Sequence, residues 1–200
     1  MTKRWQDLAP STPNREQMVH ERELARISYS PPKVDKTAWW VVASEHMDPY
    51  KKSWHWDWFF SNPSNGKDWG GPDWVTSTHS YKHIEQMRKG DIVVAYQAYE
   101  KEIVGLVYLE SRGKKGSTGQ YDTFDLLKSP IVYFPSHRRT PYKAVCSLSQ
   151  AKKEIEFCSD HVIRQGTVFE ITQNGFDIIL SVIIRLNASQ ESEIREFLAY

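Results

Sequence analysis

The sequence is poor in cysteine and carries almost no excess charge of either sign. Only Cys146 and Cys158 occur in 200 residues. Two are too few for a disulfide framework or a zinc site, so they read as ordinary thiols in a reducing compartment. Lys and Arg number 26 against 25 Asp and Glu, a net charge of +1. No overall field draws this chain to a polyanion or a membrane, so any such site must be a local patch. Long apolar runs are missing too: the stretch from Phe176 to Ile184 is far too short to span a bilayer. The polar opening, Met1 to Gln6, lacks the apolar core of a secretory leader. These absences lead to the expectation of a cytoplasmic protein with no membrane partner.

The signatures of common catalysts are also absent. There is no Gly-x-Ser-x-Gly elbow, Gly-rich phosphate loop or His-Glu-x-x-His zinc motif. His79 and His83 have a helical spacing for two metal ligands but lack the intervening Glu and a third ligand. His55 and Asp57 would lie on the same side of an extended piece, without a nucleophile to activate. Neither a metal nor a cofactor is expected, and the chain reads as a binding module rather than an enzyme.

Tryptophan, by contrast, is plentiful: eight in all, five of them between Trp54 and Trp74. So large a side chain needs a packing or recognition reason. Trp54, Trp56 and Trp58 alternate with polar residues, so an extended chain would turn all three rings to one face, toward either a core or a ligand. Trp74 precedes the hydroxyl-rich run Thr76 to Thr78, which includes Ser77, at the start of an expected helix. A ring beside hydroxyls and free helix N–H groups suits a nucleobase, offering a π-face, edge hydrogen bonds and a place for phosphate. Three basic groups offer a backbone track: Lys82, Arg88 and Lys89; Arg112, Lys114 and Lys115; and His137, Arg138, Arg139 and Lys143.

Residues 1–36 are polar and proline-punctuated, an N-terminal arm before a domain spanning 37–200. The run from Ala38 to Ser44 reads as a buried strand, and residues 45–73 as a long loop. A helix capped by Thr78 or Ser80 ends before Gly90. Strands from Asp91 to Gln97 and Glu102 to Leu109 form a hairpin through residues 98–101. The stretch from Ser111 to Gln120 is a basic loop. A strand at Ile131–Phe134, a helical patch over Leu148–Phe157 and a strand at Thr167–Ile171 follow. Thr172 caps a helix carrying Phe176, Ile179, Leu180 and Ile183, and a short helix runs from Glu191 to Leu198. Strands and helices mix without regular alternation, which predicts an α+β fold built on a small barrel.

Three segments carry a family resemblance. Trp39-Trp-Val-Val-Ala-Ser-Glu45 resembles the opening Tyr-Trp-Leu-Met-Lys-Ser-Glu-Pro strand of EVE domains. The stretch from Met87 to Gln97, followed by Ile103-Val-Gly-Leu-Val107, resembles their Met-Lys-x-Gly-Asp and Ile-Val-Gly-x-Ala-x-Val block. The run from Gln165 to Thr172 is similar to a C-terminal piece common in EVE-type domains of modification-dependent restriction systems. The likeness covers residues 38–185 and implies a PUA-like fold: a small mixed β-barrel with peripheral helices, related to YTH domains. It further implies a reader of 5-methylcytosine- or 5-hydroxymethylcytosine-type bases in DNA, extruded into an aromatic pocket. Modified DNA is the implied partner, and the resemblance to domains of restriction systems allows a separate or fused nuclease or NTPase beside it.

The YTH run Trp-Ala-Thr-Thr resembles Trp74-Val-Thr-Ser-Thr78, which places a pocket wall at Trp74 with Val75 beside it. Ser44 matches the serine that ends the family's first strand. The family's Tyr-His-Ser stands here as Tyr96-Gln97-Ala98, so Tyr96 and Gln97 are expected to line the pocket with Ser44; no residue matches the second cage Trp of YTH domains, leaving that role to Trp54, Trp56 or Trp58. Two alternatives stay open: a YTH-like reader of N6-methyladenine-type RNA, and a protein-interaction module that uses the Trp-rich surface.

Overall fold

The computed structural model describes residues 36–43, 55–63, 68–71, 83–114, 122–158 and 168–200; side chains at 68–71, 122 and 123 are excepted. The chain divides into Met1–Ser30 and Pro31–Tyr200, and all described residues belong to the second unit. The expected arm thus lies outside the described residues, apart from Lys36.

Strand β1 (Ala38–Ala43) is buried at every position. Such a continuous apolar run marks a strand covered on both faces. It pairs in parallel with β3 (Ile92–Gln97), Ala38 opposite Ile92 and Ala43 opposite Gln97. On its other side it pairs antiparallel with β7 (Val168–Ile171). The expected hairpin joins β3 to β4 (Glu102–Leu109), and Lys101 takes the left-handed backbone at the turn (φ 60°). β4 then pairs with the long strand β5 (Asp122–Tyr133), whose first residues pair with β2 (Asp68–Gly71). The path is β2-β5-β4-β3-β1-β7, with the two-residue β6 (Thr140–Pro141) attached to β4.

This sheet encloses a core to which β1 contributes Trp39, Val41 and Ala43, and β3 Val93 and Ala95. Val104, Val107, Leu109, Phe124, Leu126 and Val168 complete the ring of strands. Short helix α1 (Trp56–Ser61) adds Trp56, Phe59 and Phe60. Against the outer face of the sheet, Trp40 stacks between Tyr96 and Phe157, with ring centroids at 4.7 and 4.3 Å. Three further helices follow: α2 (Tyr142–Cys146), α3 (Ala151–Glu154) and the long α4 (Gln173–Leu186). The Thr172 hydroxyl caps α4 by accepting from the Gly175 amide, and Phe176, Ile179, Leu180 and Ile183 are buried, as their spacing predicts. Helix α5 (Glu191–Leu198) ends the chain.

Three expectations are corrected. The 45–73 stretch is not loop alone, because it contains α1 and β2. The described end of the expected helix before Gly90 is a single tight turn, Ile84–Gln86. Cys146 and Cys158 are not free thiols: they form a disulfide between the end of α2 and the turn Glu156–Cys158, with Cα atoms 5.0 Å apart. The helical turns between them double the chain back, which sequence spacing alone does not show.

Candidate nucleic-acid interface

Where β1 and β3 end, α1 seats itself over the sheet. His55 caps it, with Nδ1 accepting from the Asp57 amide (3.1 Å), and the Gln97 side-chain oxygen accepts from the Trp56 amide (3.2 Å). The Trp56 indole donates to the carbonyls of Val41 (3.3 Å) and Tyr96 (3.2 Å). Trp56, Phe59 and Phe60 recur at i, i+3 and i+4, so the apolar side of the helix enters the core. The segment is therefore helical rather than extended, which corrects the one-faced array of rings. Trp56 is fully buried, whereas Trp58 on the opposite side is 45% exposed. Tyr96 and Gln97 are buried as well; burial, and secondarily the neighbouring Tyr142, raise the Tyr96 phenol well above its ordinary value.

Asp57 is engaged from two sides. Arg139 donates from Nη2 to both its carboxylate oxygens (2.7 and 2.6 Å), and the Tyr133 hydroxyl donates to Oδ1 (3.2 Å). Burial alone would lower the Arg139 pKa, but the adjacent Asp57 carboxylate and the bonds it accepts hold it above its ordinary value. The Arg139 side chain is only 8% exposed. This corrects its assignment as a phosphate ligand, since a buried guanidinium held between the Asp57 and Glu102 carboxylates is not open to phosphate. His55 lies 3.4 Å from Glu100 and is 1% exposed. The His55 and Asp57 pair thus belongs to the anchoring of α1. This network went unseen in the sequence because its members stand more than forty and eighty residues apart.

At the far end of β4, roughly 20 Å away along the strand, two of the expected basic groups come together. Arg88 donates from Nη1 to the Glu85 carbonyl (2.6 Å), and Arg112 donates from Nη2 to the same oxygen (3.3 Å). Lys89 and Lys114 are exposed beside them. The turn beneath is built on Asp91, whose carboxylate accepts from the Trp39 indole and the Arg88 amide, both at 2.8 Å. Gly90, at φ +90°, donates to the Leu109 carbonyl. Gly113 donates to Met87 and abuts the Ile84 carbonyl so closely that no Cβ would fit. The patch also flanks β2: at Asp125, opposite Asp68, the backbone carbonyl accepts from the Glu110 amide and the backbone N–H donates to the Ser111 hydroxyl. Arg138 and Lys143 are exposed but stand near β6, at the other end of β4.

Ser44, Trp54, Trp74, Val75, Ser77, Lys82 and Lys115 lie outside the described residues. Ser44 directly follows the last residue of β1, and Trp74 comes three positions after the end of β2. Among the described residues, no three His, Cys, Asp or Glu side chains group as metal ligands, and no helix is long and apolar enough to cross a membrane.

No family model matches the chain, and no curated protein sequence does. Solved structures do. Human THYN1 protein in complex with 5-methylcytosine containing DNA matches with a TM-score of 0.55 at 14% identity, over 74% of this chain and 98% of that one. Protein Atu2648 from Agrobacterium tumefaciens matches with a TM-score of 0.51 at 16% identity, over 72% and 92%. A hypothetical protein from Leishmania major gives 0.51 at 16% identity, over 78% and 98%. At these identities the likeness is one of fold, and the chain has the α+β, PUA-like fold, a mixed β-barrel with peripheral helices.

Proposed function

We propose that this chain is a reader of modified bases in DNA. A 5-methylcytosine- or 5-hydroxymethylcytosine-type base leaves the stack and enters an aromatic pocket walled by Trp74, with Val75, Ser77 and Ser44 beside it. Trp58, the exposed member of the 54–58 run, supplies a second ring, and Arg88, Lys89, Arg112 and Lys114 hold the phosphates. The observation that carries this reading is the convergence of Arg88 and Arg112 on one carbonyl beside the strand that leads to Trp74. In a protein with a net charge of +1, four cations brought together from two segments form the kind of local field that a polyanion needs. The THYN1 structure with methylated DNA supports the choice of ligand. The role is binding rather than turnover, with cleavage left to a separate or fused nuclease or NTPase.

Extruding a base costs a few kcal/mol, which stacking and phosphate contacts must offset. A fitted methyl group discriminates by about 1–3 kcal/mol, so the preference for the modified base is roughly 10- to 200-fold. The test is a titration of oligonucleotides with 5-methylcytosine, 5-hydroxymethylcytosine or no modification, and of RNA with N6-methyladenine. Trp74→Ala and Trp58→Ala each weaken the preferred ligand by about 5- to 150-fold. Each Lys or Arg removed from the patch flattens the salt dependence by about one unit of slope. Equal affinity of wild type and Trp74→Ala for every ligand removes Trp74 from the site, and preference for the RNA makes the protein a YTH-like reader.

A further inference from the structure

The side of the barrel at α5 carries a groove of about 720 Å³ that the DNA-reading proposal does not use. Its walls are Pro130 and Ile131 of β5 and Glu193, Glu196 and Tyr200 of the C-terminal segment, over a floor that includes Phe197. Glu193, Glu196 and Tyr200 follow one another at three- and four-residue steps, so they form one stripe of the helix and its extension. Both glutamates are exposed. Their hydrogen bonds come from neutral groups, the Gln190 amide and the Ser192 hydroxyl, and among the described residues neither has a basic partner. Tyr200 is 66% exposed, and the Lys36 ammonium lies 5.5 Å from its ring centre, so this ring already accepts a cation.

We infer that this groove docks a cationic segment of a partner protein, Lys or Arg side chains meeting Glu193, Glu196 and the Tyr200 ring while aliphatic side chains settle against Pro130 and Ile131. The charge decides the class of occupant, because two exposed carboxylates with no ion-pair partner among the described residues repel a phosphate backbone and attract a basic peptide. The wall decides the mode. Between the Leu109–Leu126 and Val107–Ile131 pairs β5 slips out of register with β4, and Pro130 has no N–H to offer an added strand, so recognition runs through side chains. The inference goes beyond the base-reading proposal and is independent of it.

The probe is a fluorescein-labelled peptide alternating arginine with leucine, compared with one in which glutamate replaces every arginine, titrated against the full chain by anisotropy. The arginine peptide binds and the glutamate peptide does not. E193Q/E196Q weakens the binding about fivefold or more, and Tyr200→Ala weakens it further, while Glu156→Gln, exposed in the turn Glu156–Cys158, leaves it unchanged. All these positions are exposed, so matched melting curves show that the variants fold. Two results overturn the proposal: affinity for the arginine peptide unchanged or undetectable across the set, or a concentration-dependent dimer that E193Q/E196Q abolishes.

Discussion

Trp56 and Trp58 stand two positions apart on one short helix, one sealed in the core and the other 45% exposed. Period-two alternation was visible in the sequence; Phe59 and Phe60, which turn the period into a helical one with Trp56, are what settle which ring is free. Tyr108 shows the same dependence on surroundings. It stacks on Phe197 and donates to the Phe197 carbonyl at 2.6 Å. Burial, then repulsion from the Tyr200 phenolate, pushes its pKa from the ordinary value of 10.0 up to about 12. A phenol held protonated in the fold but free to ionise when unfolded adds stability that is complete below the ordinary value. That stability is lost as pH rises through the folded one. Stability therefore holds up to about pH 10 and falls from there toward about 12. Tyr108→Phe makes that alkaline decline shallower; urea melts at stepped pH, with both proteins declining in parallel, would refute the assignment.

Among the elements, those with local signals were legible: the cap and periodicity of α4, the β3–β4 hairpin, the buried run of β1 and helix α5. The Met87–Asp91 block was legible as a motif but not as a device. Its Asp91 is a buried knot tying β1, through Trp39, to the turn that carries Arg88. The strand end that brings Arg112 to the same turn rests on Gly113, where a Cβ would collide with the Ile84 carbonyl. Gly113→Ala therefore destabilises the fold by about 1–3 kcal/mol and pulls Arg112 away from Arg88. Oligonucleotide binding by this variant shows a flatter salt dependence, measured alongside its urea melt. An unchanged salt slope in a folded Gly113→Ala protein would detach the patch from the phosphates. Helix α1 and the long β5 were less legible, because α1 relies on Gln97 and Arg139 and β5 on neighbours distant in sequence.

Across the whole molecule, the disulfide closes a loop of sequence separation 12 around α3 and the turn that presents Phe157 to Trp40. Restricting the unfolded chain over such a loop contributes about 3 kcal/mol, so a thiol reductant or the double change Cys146→Ser with Cys158→Ser lowers the melting temperature by roughly 6–12 °C. Identical melts with and without dithiothreitol would mean that the pair is not joined in solution.

By itself the sequence determined the fold class, most of the secondary elements and the local abundance of tryptophan. These follow from near-neighbour physics: side-chain periodicity, capping and turn chemistry act within a few residues. Only the tertiary structure decided that Arg139 is held by Asp57, that Trp56 is core, that the cysteines are joined and that Arg88 and Arg112 share one carbonyl. The arginine contacts join residues 27 and 82 positions apart, where the geometry of the sheet, and no local preference, sets which side chains meet; Trp56 is held by the strand carbonyls of Val41 and Tyr96, and the disulfide, over a separation of 12, follows from helical turns that double the chain back.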